Sequence, residues 1–276
     1  IDICRIKSSE KPQTQKAWKT QLRFAQPKPH CALRYAPCTL HFERSTCKKM
    51  KHYIVAIDGP SGAGKSTLSK LIAKKLGIAY IDTGAMYRAC ALYAVELGVN
   101  PKVDSEKLRK ILSDIKIDFS YKKGEQRVFL NDIDVTREIR EPHISIAASD
   151  ISAIVFVRDK LVMMQREMAK NKSVLMDGRD IGTNVFPDAD IKIYLTADVE
   201  DRAQRRYEEL LSKGNKVDYQ IVLNEMISRD ENDKNREYAP LKQDKNAKLL
   251  DTTGNSLDKS LNLLYNHIVE KLESIS

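Results

Sequence analysis

The chain has 276 residues, of which 42% are hydrophobic and 31% charged, a balance that suits a soluble globular protein with a sizeable core. No apolar run is long enough to cross a bilayer, so we expect no transmembrane segment. The net charge of +9 does not indicate a nucleic-acid partner, because residues 1–49 hold 11 Lys and Arg against 3 Asp and Glu and the rest of the chain is nearly neutral.

Residues 1–49 form a basic leader whose apolar residues follow neither a helical nor a strand period, and we expect it to be disordered. The leader begins at Ile1, and the first methionine is Met50. Three origins fit: sequence in front of a natural start at Met50, an organellar transit segment, or a functional basic arm. We expect a cytoplasmic protein, or an organellar one if the leader is a genuine transit segment.

The body begins with a strand, a glycine-rich loop and a helix in the order that phosphate binding requires. The loop reads GPSGAGKST and contains the pattern G-x-x-x-x-G-K-[ST]. Its backbone N–H groups and the helix start would surround phosphate oxygens. Lys65 would reach the β- and γ-phosphates of ATP, and the Ser66 hydroxyl would hold Mg²⁺. The predicted ATP-binding residues are Gly59, Pro60, Ser61, Gly62, Ala63, Gly64, Lys65, Ser66 and Thr67.

Short apolar strands then alternate with helices along the chain. The strands are predicted at residues 53–57, 78–81, 173–176, 191–195 and 248–251. This alternation predicts an α/β fold of the P-loop NTPase type, a parallel five-stranded sheet with helices on both faces. Alternating apolar residues at about 115–136 predict a small antiparallel insert, and two charged helices are predicted at 199–212 and 218–236.

A P-loop alone leaves switch GTPases, motor ATPases and small kinases open. Residues 215–218 read NKVD and match the guanine-reading motif, but they follow a charged helix, whereas that motif ends an apolar strand in GTPases. The D-x-x-G at 251–254 comes after it, which is the wrong order for a GTPase. A motor would need more sheet than this body can hold, so the pattern favours a small kinase.

Arginines support the kinase interpretation, because a phosphoryl group that moves between two anions needs cations that hold both. Arg229, Asp233 and Arg236 are spaced to share one helical face, although a solvated face with a surface ion pair has the same spacing. Arg179 is more informative. It follows a strand-terminal Asp-Gly, at the sheet edge where α/β proteins bind ligands.

From about Met50 to the C-terminus the sequence resembles the bacterial-type cytidylate kinases. The stretches that carry the resemblance are IVAIDGPSGAGKST, YIDTGAMYRA, NDIDVTREIR, AAS followed by VRDKL, MDGRDIGTNVFPDADIKIYL and SRDENDKNREYAPL. The resemblance implies a nucleoside monophosphate kinase that uses ATP with Mg²⁺ to phosphorylate CMP or dCMP. It also implies one kinase domain at 50–276, with a monophosphate-binding region at about 83–171 and a mobile lid at about 199–237.

The same resemblance assigns roles to individual residues. The residues expected around CMP are Thr83, Tyr87, Ser149, Arg158, Arg179, Asp180, Arg229, Asp233 and Arg236. Ser149, Arg158 and Asp180 would read cytosine, and Asp233 would orient the sugar and an arginine. The residues expected to act on the phosphates are Lys65, Arg179, Arg229 and Arg236. Either Asp177 or Asp58 would orient a water on Mg²⁺, and the sequence does not rank them.

Two positions depart from the family pattern. Thr83 stands where serine is also common, and it keeps the hydroxyl. Lys234 stands where arginine is frequent, so it keeps the charge but loses the bidentate fork.

The expected partners are ATP and CMP or dCMP, without membrane or nucleic acid, and the expected state is a monomer. Two alternatives stay open at this point. One is a P-loop kinase for another small acceptor, such as a different nucleoside monophosphate or shikimate. The other is a nucleotide- or nucleic-acid-binding protein that uses the basic leader.

Overall fold

The computed structural model describes residues 52–100, 103–122 and 125–275. The predicted leader lies outside these residues, and so do Lys123 and Gly124, where the sequence predicts a turn of the antiparallel insert. The strands are β1 (Ile54–Asp58), β2 (Ala79–Asp82), β3 (Ile117–Lys122), β4 (Glu125–Leu130), β5 (Ile133–Asp134), β6 (Val174–Gly178), β7 (Ile191–Thr196) and β8 (Lys248–Asp251). The helices are α1 (Lys65–Leu76), α2 (Thr83–Glu96), α3 (Ser105–Ser113), α4 (Pro142–Ser152), α5 (Val155–Met168), α6 (Val199–Ser212), α7 (Tyr219–Lys234) and α8 (Leu257–Ile275). Short 3₁₀ and π turns occur at Glu138–Arg140 and Ile181–Val185.

Five strands form the predicted parallel sheet, in the order β2-β6-β1-β7-β8. β1 lies at the centre, and its last residue, Asp58, stands opposite Gly178 of β6. Because all five strands run the same way, their carboxyl ends meet at one edge of the sheet, which is where such folds bind ligands. The predicted parallel architecture is confirmed.

Helices cover both faces of this sheet with separate apolar clusters. On one face α1 and α8 pack through Leu68, Ile72 and Leu264. On the other face α2 and α5 pack through a larger cluster that includes Met86 and Leu161 and continues into the antiparallel insert. Helices therefore cover the near-continuous apolar strands on both sides, as buried parallel strands require.

The insert is a three-stranded antiparallel sheet in the order β3-β4-β5, as predicted. Asn131 and Asp132 connect β4 to β5 with φ of 47° and 68°, a conformation that Asn and Asp tolerate better than other non-glycine residues. The Gln126 side chain donates to the backbone oxygen of Tyr80 at 2.9 Å. This bond fastens the insert to β2 of the main sheet.

The second charged helix is shorter than predicted. α7 ends at Lys234, so Arg236 does not share a helical face with Arg229, and that part of the prediction is wrong. The Asp233 carbonyl accepts from the Leu241 N–H at 2.8 Å instead of continuing the helical ladder. Between these two residues, Ala239 takes a left-handed φ of 50°.

Within residues 52–100, 103–122 and 125–275, no helix combines the length and the apolar character that crossing a membrane would need.

Cys90 is buried at the centre of α2 and only 1% exposed. Burial raises the pKa of its thiol to about 12, and the thiolate is the reactive form. We therefore expect no labelling of Cys90 by a thiol-specific reagent in the native protein at pH 8, and complete labelling after denaturation. Peptide mapping by mass spectrometry checks this result and separates Cys90 from the leader cysteines. Rapid native labelling of Cys90 would contradict the described packing of α2.

Candidate active site

The glycine-rich loop between β1 and α1 has a backbone that only glycine allows at three points. A Cβ on Gly59 would lie 1.9 Å from the backbone oxygen of Leu195 in β7. Gly62 and Gly64 have φ of +74° and +83°, in the left-handed region that favours glycine. Conformations of this kind allow a loop to present N–H groups to phosphate oxygens, as a phosphate-binding cradle requires.

The start of α1 is suited to an anion. Gly64 is its N-cap residue, and no side chain in the described part of the chain caps the helix there. The first turn contains no acidic residue. Its unbonded N–H groups and the positive end of the helix dipole therefore stay available to a ligand.

Lys65 lies inside the loop and is only 5% exposed. Its ammonium donates to the backbone oxygen of Pro60. Burial and repulsion from Arg179 lower the pKa of Lys65 well below its usual value. A phosphate bound in the loop would supply the negative charge that would stabilise this buried ammonium.

Asp177 lies near the end of β6 beside the loop, and its side chain connects the loop to β2. Its Oδ2 accepts from the Ser66 hydroxyl at 2.7 Å, and its Oδ1 accepts from the Tyr80 hydroxyl at 2.8 Å. Burial raises the pKa of Asp177 to about 6, and the nearby Asp82 adds to the effect. A hydroxyl and a carboxylate at hydrogen-bond distance are hard oxygen donors of the kind that Mg²⁺ takes together with phosphates and water.

The side chain of Asp58, the other candidate carboxylate, is already hydrogen-bonded to backbone N–H groups. Its two oxygens accept from the N–H groups of Ile181 and Gly182, both at 2.7 Å. Burial raises its pKa to about 7 in spite of these bonds. Asp58 therefore holds the turn after β6, and the geometry favours Asp177 as the carboxylate beside Ser66.

Three of the predicted arginines surround Asp233, which lies near the end of α7. Arg179 donates through Nε to Asp233 at 2.8 Å, and Arg236 lies 3.8 Å from its other oxygen. Burial alone would raise the pKa of Asp233, but these arginines outweigh it and the pKa is lowered. Burial, followed by repulsion from Arg179, lowers the pKa of Arg229 to about 10. A single carboxylate thus offsets part of the charge of three guanidinium groups.

This cluster has unused donors as well as excess charge. The Nε and one terminal nitrogen of Arg236 are buried without a partner in the described part of the chain. Burial and repulsion from Arg158 lower the pKa of Arg236. Buried N–H groups of this kind are normally satisfied, so an anionic ligand would complete the cluster.

A second group of predicted residues lies around Asp180, directly after β6. Arg158 is 1% exposed and donates to Asp180 Oδ2 at 2.6 Å. Asn184 donates to the same oxygen at 2.9 Å. The Tyr87 ring lies 5.6 Å from the Arg158 guanidinium. Both bonds reach Oδ2, which leaves Oδ1 able to accept from a ligand.

The remaining predicted residues have indirect places in this arrangement. The Thr83 hydroxyl donates to the backbone oxygen of Asp177 at 2.7 Å, so it braces β6 against the start of α2. Ser149 is half-buried on α4. Its carbonyl accepts from Ser152, whose own carbonyl accepts from Arg158. Lys234 is exposed at the end of α7.

The sequence analysis missed a buried ion pair at the base of the two charged helices. Arg202 of α6 donates to Asp230 of α7 at 2.6 Å and to the backbone oxygen of Ser61 at 2.8 Å. Asp230 in turn accepts from the Ser61 N–H at 3.2 Å. Nothing in the spacing of Arg202 separates it from the neighbouring Arg205 and Arg206, which are more exposed.

Arg88, one turn into α2, was also missed. It donates to Asp82 at 3.3 Å, and its charge contributes to the lowered pKa of Arg229. Its place immediately after Tyr87, on a helix that begins at a strand end, was a signal that the sequence analysis did not use. With Arg88 the cationic cluster draws on α2, α7, the end of β6 and the segment after α7.

Comparison with known proteins gives one consistent result. The family model described as cytidylate kinase matches residues 55–273. The cytidylate kinase of Caldicellulosiruptor bescii is 50% identical over 212 residues, which cover 77% of this chain and 93% of that protein. The cytidylate kinase of Leuconostoc mesenteroides is 48% identical over 79% of this chain and 99% of that protein. The cytidylate kinase of Thermotoga neapolitana is 44% identical over 80% and 98%.

Proposed function

The chain belongs to the cytidylate kinase family, and on this premise we propose that it transfers the γ-phosphoryl group of ATP to CMP or dCMP, giving ADP and CDP or dCDP. One observation carries the proposal. A phosphate-binding loop with a buried lysine lies beside a cluster of arginines that outnumber their carboxylate partner. Two neighbouring anion sites of this kind suit the donor and the acceptor of a phosphoryl transfer.

On the donor side, the loop and the start of α1 would hold the ATP phosphates. The backbone of residues 59–67 supplies N–H donors, and Lys65 supplies a charge for the β- and γ-phosphates. Its bond to the Pro60 carbonyl would be exchanged for a stronger bond to a phosphate oxygen. The transferred group would then leave from the mouth of the loop towards Arg179.

Ser66 and Asp177 would hold Mg²⁺, with the carboxylate acting through a water. Mg²⁺ usually keeps several waters and takes one or two carboxylates plus substrate phosphates, which agrees with a site that has few protein ligands. When bound, the ion would neutralise charge on the β- and γ-phosphates. The Tyr80 hydroxyl, which donates to Asp177, would keep that carboxylate in place.

On the acceptor side, the residues around Asp180 would read the base. The exocyclic amine of cytosine is a donor, and a carboxylate such as Asp180 accepts from donors of this type. Uracil presents an oxygen at the same position, so it would meet a second acceptor and be disfavoured. Arg158 would support this choice, because its bond to Oδ2 holds the Asp180 side chain in place.

The transfer itself needs no strong base. The attacking oxygen belongs to the CMP phosphate, which is largely ionised at neutral pH. Arg179, Arg229 and Arg236 would hold that phosphate in line with the ATP γ-phosphorus and stabilise the charge that passes between them. The reaction would proceed by direct transfer, without a covalent enzyme intermediate.

Two regions would move or adapt around these sites. We propose that the monophosphate-binding region spans about 83–171, including the antiparallel insert, and that the lid spans about 199–237. Closure of the lid would bring its arginines onto the phosphates and exclude water. We also propose that the protein acts as a monomer in the cytoplasm.

An acceptor screen tests the function directly. ADP release is measured with ATP and Mg²⁺ in the presence of CMP, dCMP, UMP, AMP or shikimate. We expect the highest kcat/KM with CMP or dCMP, a much lower value with UMP, and no turnover with AMP or shikimate. Turnover with shikimate alone, or hydrolysis of ATP that no acceptor accelerates, would contradict the proposal.

A substitution at Asp180 tests base recognition separately from catalysis. Asp180→Asn keeps the size of the side chain but replaces one acceptor by a donor. Since one good base contact is worth about 1–3 kcal/mol, we expect the CMP/UMP ratio of kcat/KM to fall by about tenfold or more. The exposed Asp188→Asn is the matched control and should leave the ratio unchanged. An unchanged ratio in a folded Asp180→Asn protein would remove this assignment.

A further inference from the structure

A cavity of about 700 Å³ lies outside the candidate active site, beside the carboxy-terminal half of α1. One wall is formed by α1 and the Gly77–Tyr80 segment that leads into β2. The opposite wall belongs to the antiparallel insert and to the segment that leaves it, at residues 136–140. Its volume falls within the range of small-molecule sites, about 300–1,000 Å³.

The walls of this cavity are strongly cationic. They carry one carboxylate, Glu125, and five basic side chains, Lys70, Lys74, Arg127, Arg137 and Arg140. Glu125 is itself largely solvent-exposed, with 78% of its side-chain surface accessible. Such an excess of one sign within a cleft focuses the field and attracts ions of the opposite charge.

In the part of the chain that the structure describes, most of these cations have no carboxylate partner. Within the described residues, Lys70, Lys74, Arg137 and Arg140 form no ion pair with a carboxylate. Arg127 does have partners, because it lies 3.5 Å from Asp134 and 3.9 Å from Glu125. Even so, its Nε is buried and has no hydrogen-bond partner in the described part of the chain, and buried N–H groups are rarely left in that state.

We propose that this cavity binds a small polyanion that carries two or more phosphate groups. Guanidinium groups bind phosphate through paired donors, whereas lysines add point charges, and both types face the cavity from opposite walls. A single monovalent anion would leave most of the basic side chains unpaired. A chain of phosphates can contact several of these groups at once, because Lys74 of α1 and Arg137 and Arg140 of the insert side line the same cavity.

The cavity also has room for an aromatic or apolar part of the ligand. Tyr121, which is 56% exposed, and Leu71, which is 39% exposed, lie in its walls. A nucleoside could pack on these surfaces, since aromatic side chains commonly stack with bases. The ligand class therefore includes inorganic polyphosphate and nucleoside polyphosphates, which share the phosphate chain.

A short series of contacts connects the cavity with the candidate active site. Tyr80 lines the cavity, and its backbone oxygen accepts from Gln126 and Tyr121 of the insert. The hydroxyl of the same residue donates to Asp177, which accepts from Ser66. A ligand that draws the insert and α1 together would therefore act on residues next to the phosphate-binding loop.

Calorimetric titration of the full chain with inorganic tripolyphosphate tests the proposal. We expect two sites in the wild type, one at the glycine-rich loop and one in the cavity. Lys65→Ala should weaken the first site and retain the second. Arg137→Ala/Arg140→Ala should retain the first and weaken the second by at least about tenfold, because two phosphate-binding groups are lost. Both binding events should weaken as ionic strength rises.

The controls separate this proposal from the kinase assignment. The double variant Lys259→Ala/Lys271→Ala removes the same charge from the exposed side of α8 and should retain both sites. Cavity binding that persists unchanged in Arg137→Ala/Arg140→Ala, or a wild type whose only binding disappears in Lys65→Ala, would overturn the proposal. Neither outcome depends on the phosphoryl-transfer reaction, so the two ideas can fail independently.

A comparison of two ligands identifies the source of the phosphate chain. CTP and inorganic tripolyphosphate are titrated into Lys65→Ala and into the variant that also carries Arg137→Ala/Arg140→Ala. Tighter binding of CTP that Tyr121→Ala removes would support a nucleoside polyphosphate. Equal affinity of both ligands, lost in the cavity variant, would support recognition of the phosphate chain alone.

Discussion

Lys65→Ala is expected to lower kcat for CMP phosphorylation by at least about tenfold. The ammonium is the only lysine nitrogen that the described structure places inside the glycine-rich loop, where it bonds the Pro60 carbonyl. Removal of a preorganised donor that stabilises developing charge typically reduces kcat by about 10²–10³-fold. The exposed Lys259→Ala is the matched control and should keep wild-type kcat.

Stability separates this effect from misfolding. Lys65 is buried, and both burial and repulsion from Arg179 lower its pKa. Without a bound nucleotide, the charged Lys65 amine is therefore not a source of stability. We therefore expect Lys65→Ala to unfold at or above the wild-type temperature in the absence of nucleotide. A folded Lys65→Ala protein with near-wild-type turnover would show that the loop does not hold the transferred phosphate.

Arg179→Ala is the second large effect that we expect, again with kcat lowered by at least about tenfold. Arg179 lies between the two proposed sites, because it bonds Asp233 at 2.8 Å and its charge also acts on Lys65 and Arg229. Its loss would remove a cation that lies between the two proposed phosphate sites, so we expect the transition state to be affected more than substrate binding. Steady-state kinetics with CMP, reported as kcat and KM separately, measures this difference.

Two further variants show whether charge or shape is responsible. Arg179→Lys keeps the charge but cannot bind in a bidentate manner, so we expect a kcat between those of the wild type and Arg179→Ala. Arg109→Ala, in which the lost guanidinium packs on Phe156 at 4.2 Å, is the control and should leave kcat unchanged. If Arg179→Ala raised KM but left kcat intact, the residue would be a binding group without a role in the transfer step.

The elements with strong local signals were predicted well. The strand-loop-helix around Gly59–Thr67 needs only local residue types, and its glycines have the left-handed φ values that such a loop requires. The five-stranded sheet and the antiparallel insert followed from apolar runs and from alternation. The sheet and the insert both depend on how apolar residues are spaced along the chain, and that spacing can be read directly from the sequence.

Contacts between distant segments were harder to predict. Asp58 and Asp177 both lie near the carboxyl ends of apolar strands, and the hydrogen bonds from the Ile181 and Gly182 N–H groups to Asp58 distinguish them. The pairing of Arg202 with Asp230 joins residues 28 positions apart on two charged helices. Their buried state depends on how the two helices meet the loop, which no local pattern encodes.

The end of α7 shows how a local rule can fail near a site. A helical period placed Arg236 on the same face as Arg229, but the helix stops at Lys234. Pro240 follows shortly after the helix end, and the Asp233 carbonyl accepts a hydrogen bond from the Leu241 N–H. Arg236 still reaches Asp233 to within 3.8 Å, so the correct neighbours were predicted for the wrong geometric reason.

The bonds of Ser61 with Arg202 and Asp230 join the phosphate-binding loop to the two charged helices of the proposed lid. Arg202 lies in the first turn of α6, and Asp230 lies in the last turns of α7, so both helices are anchored at the same end. The opposite end of the helix pair is the exposed turn at residues 213–218, which would move the most if the helices rotated about Ser61. A small rotation of the two helices about Ser61 would therefore displace the turn at residues 213–218 by a larger distance. A nucleotide that shifts the phosphate-binding loop would act first on the bonds of Ser61.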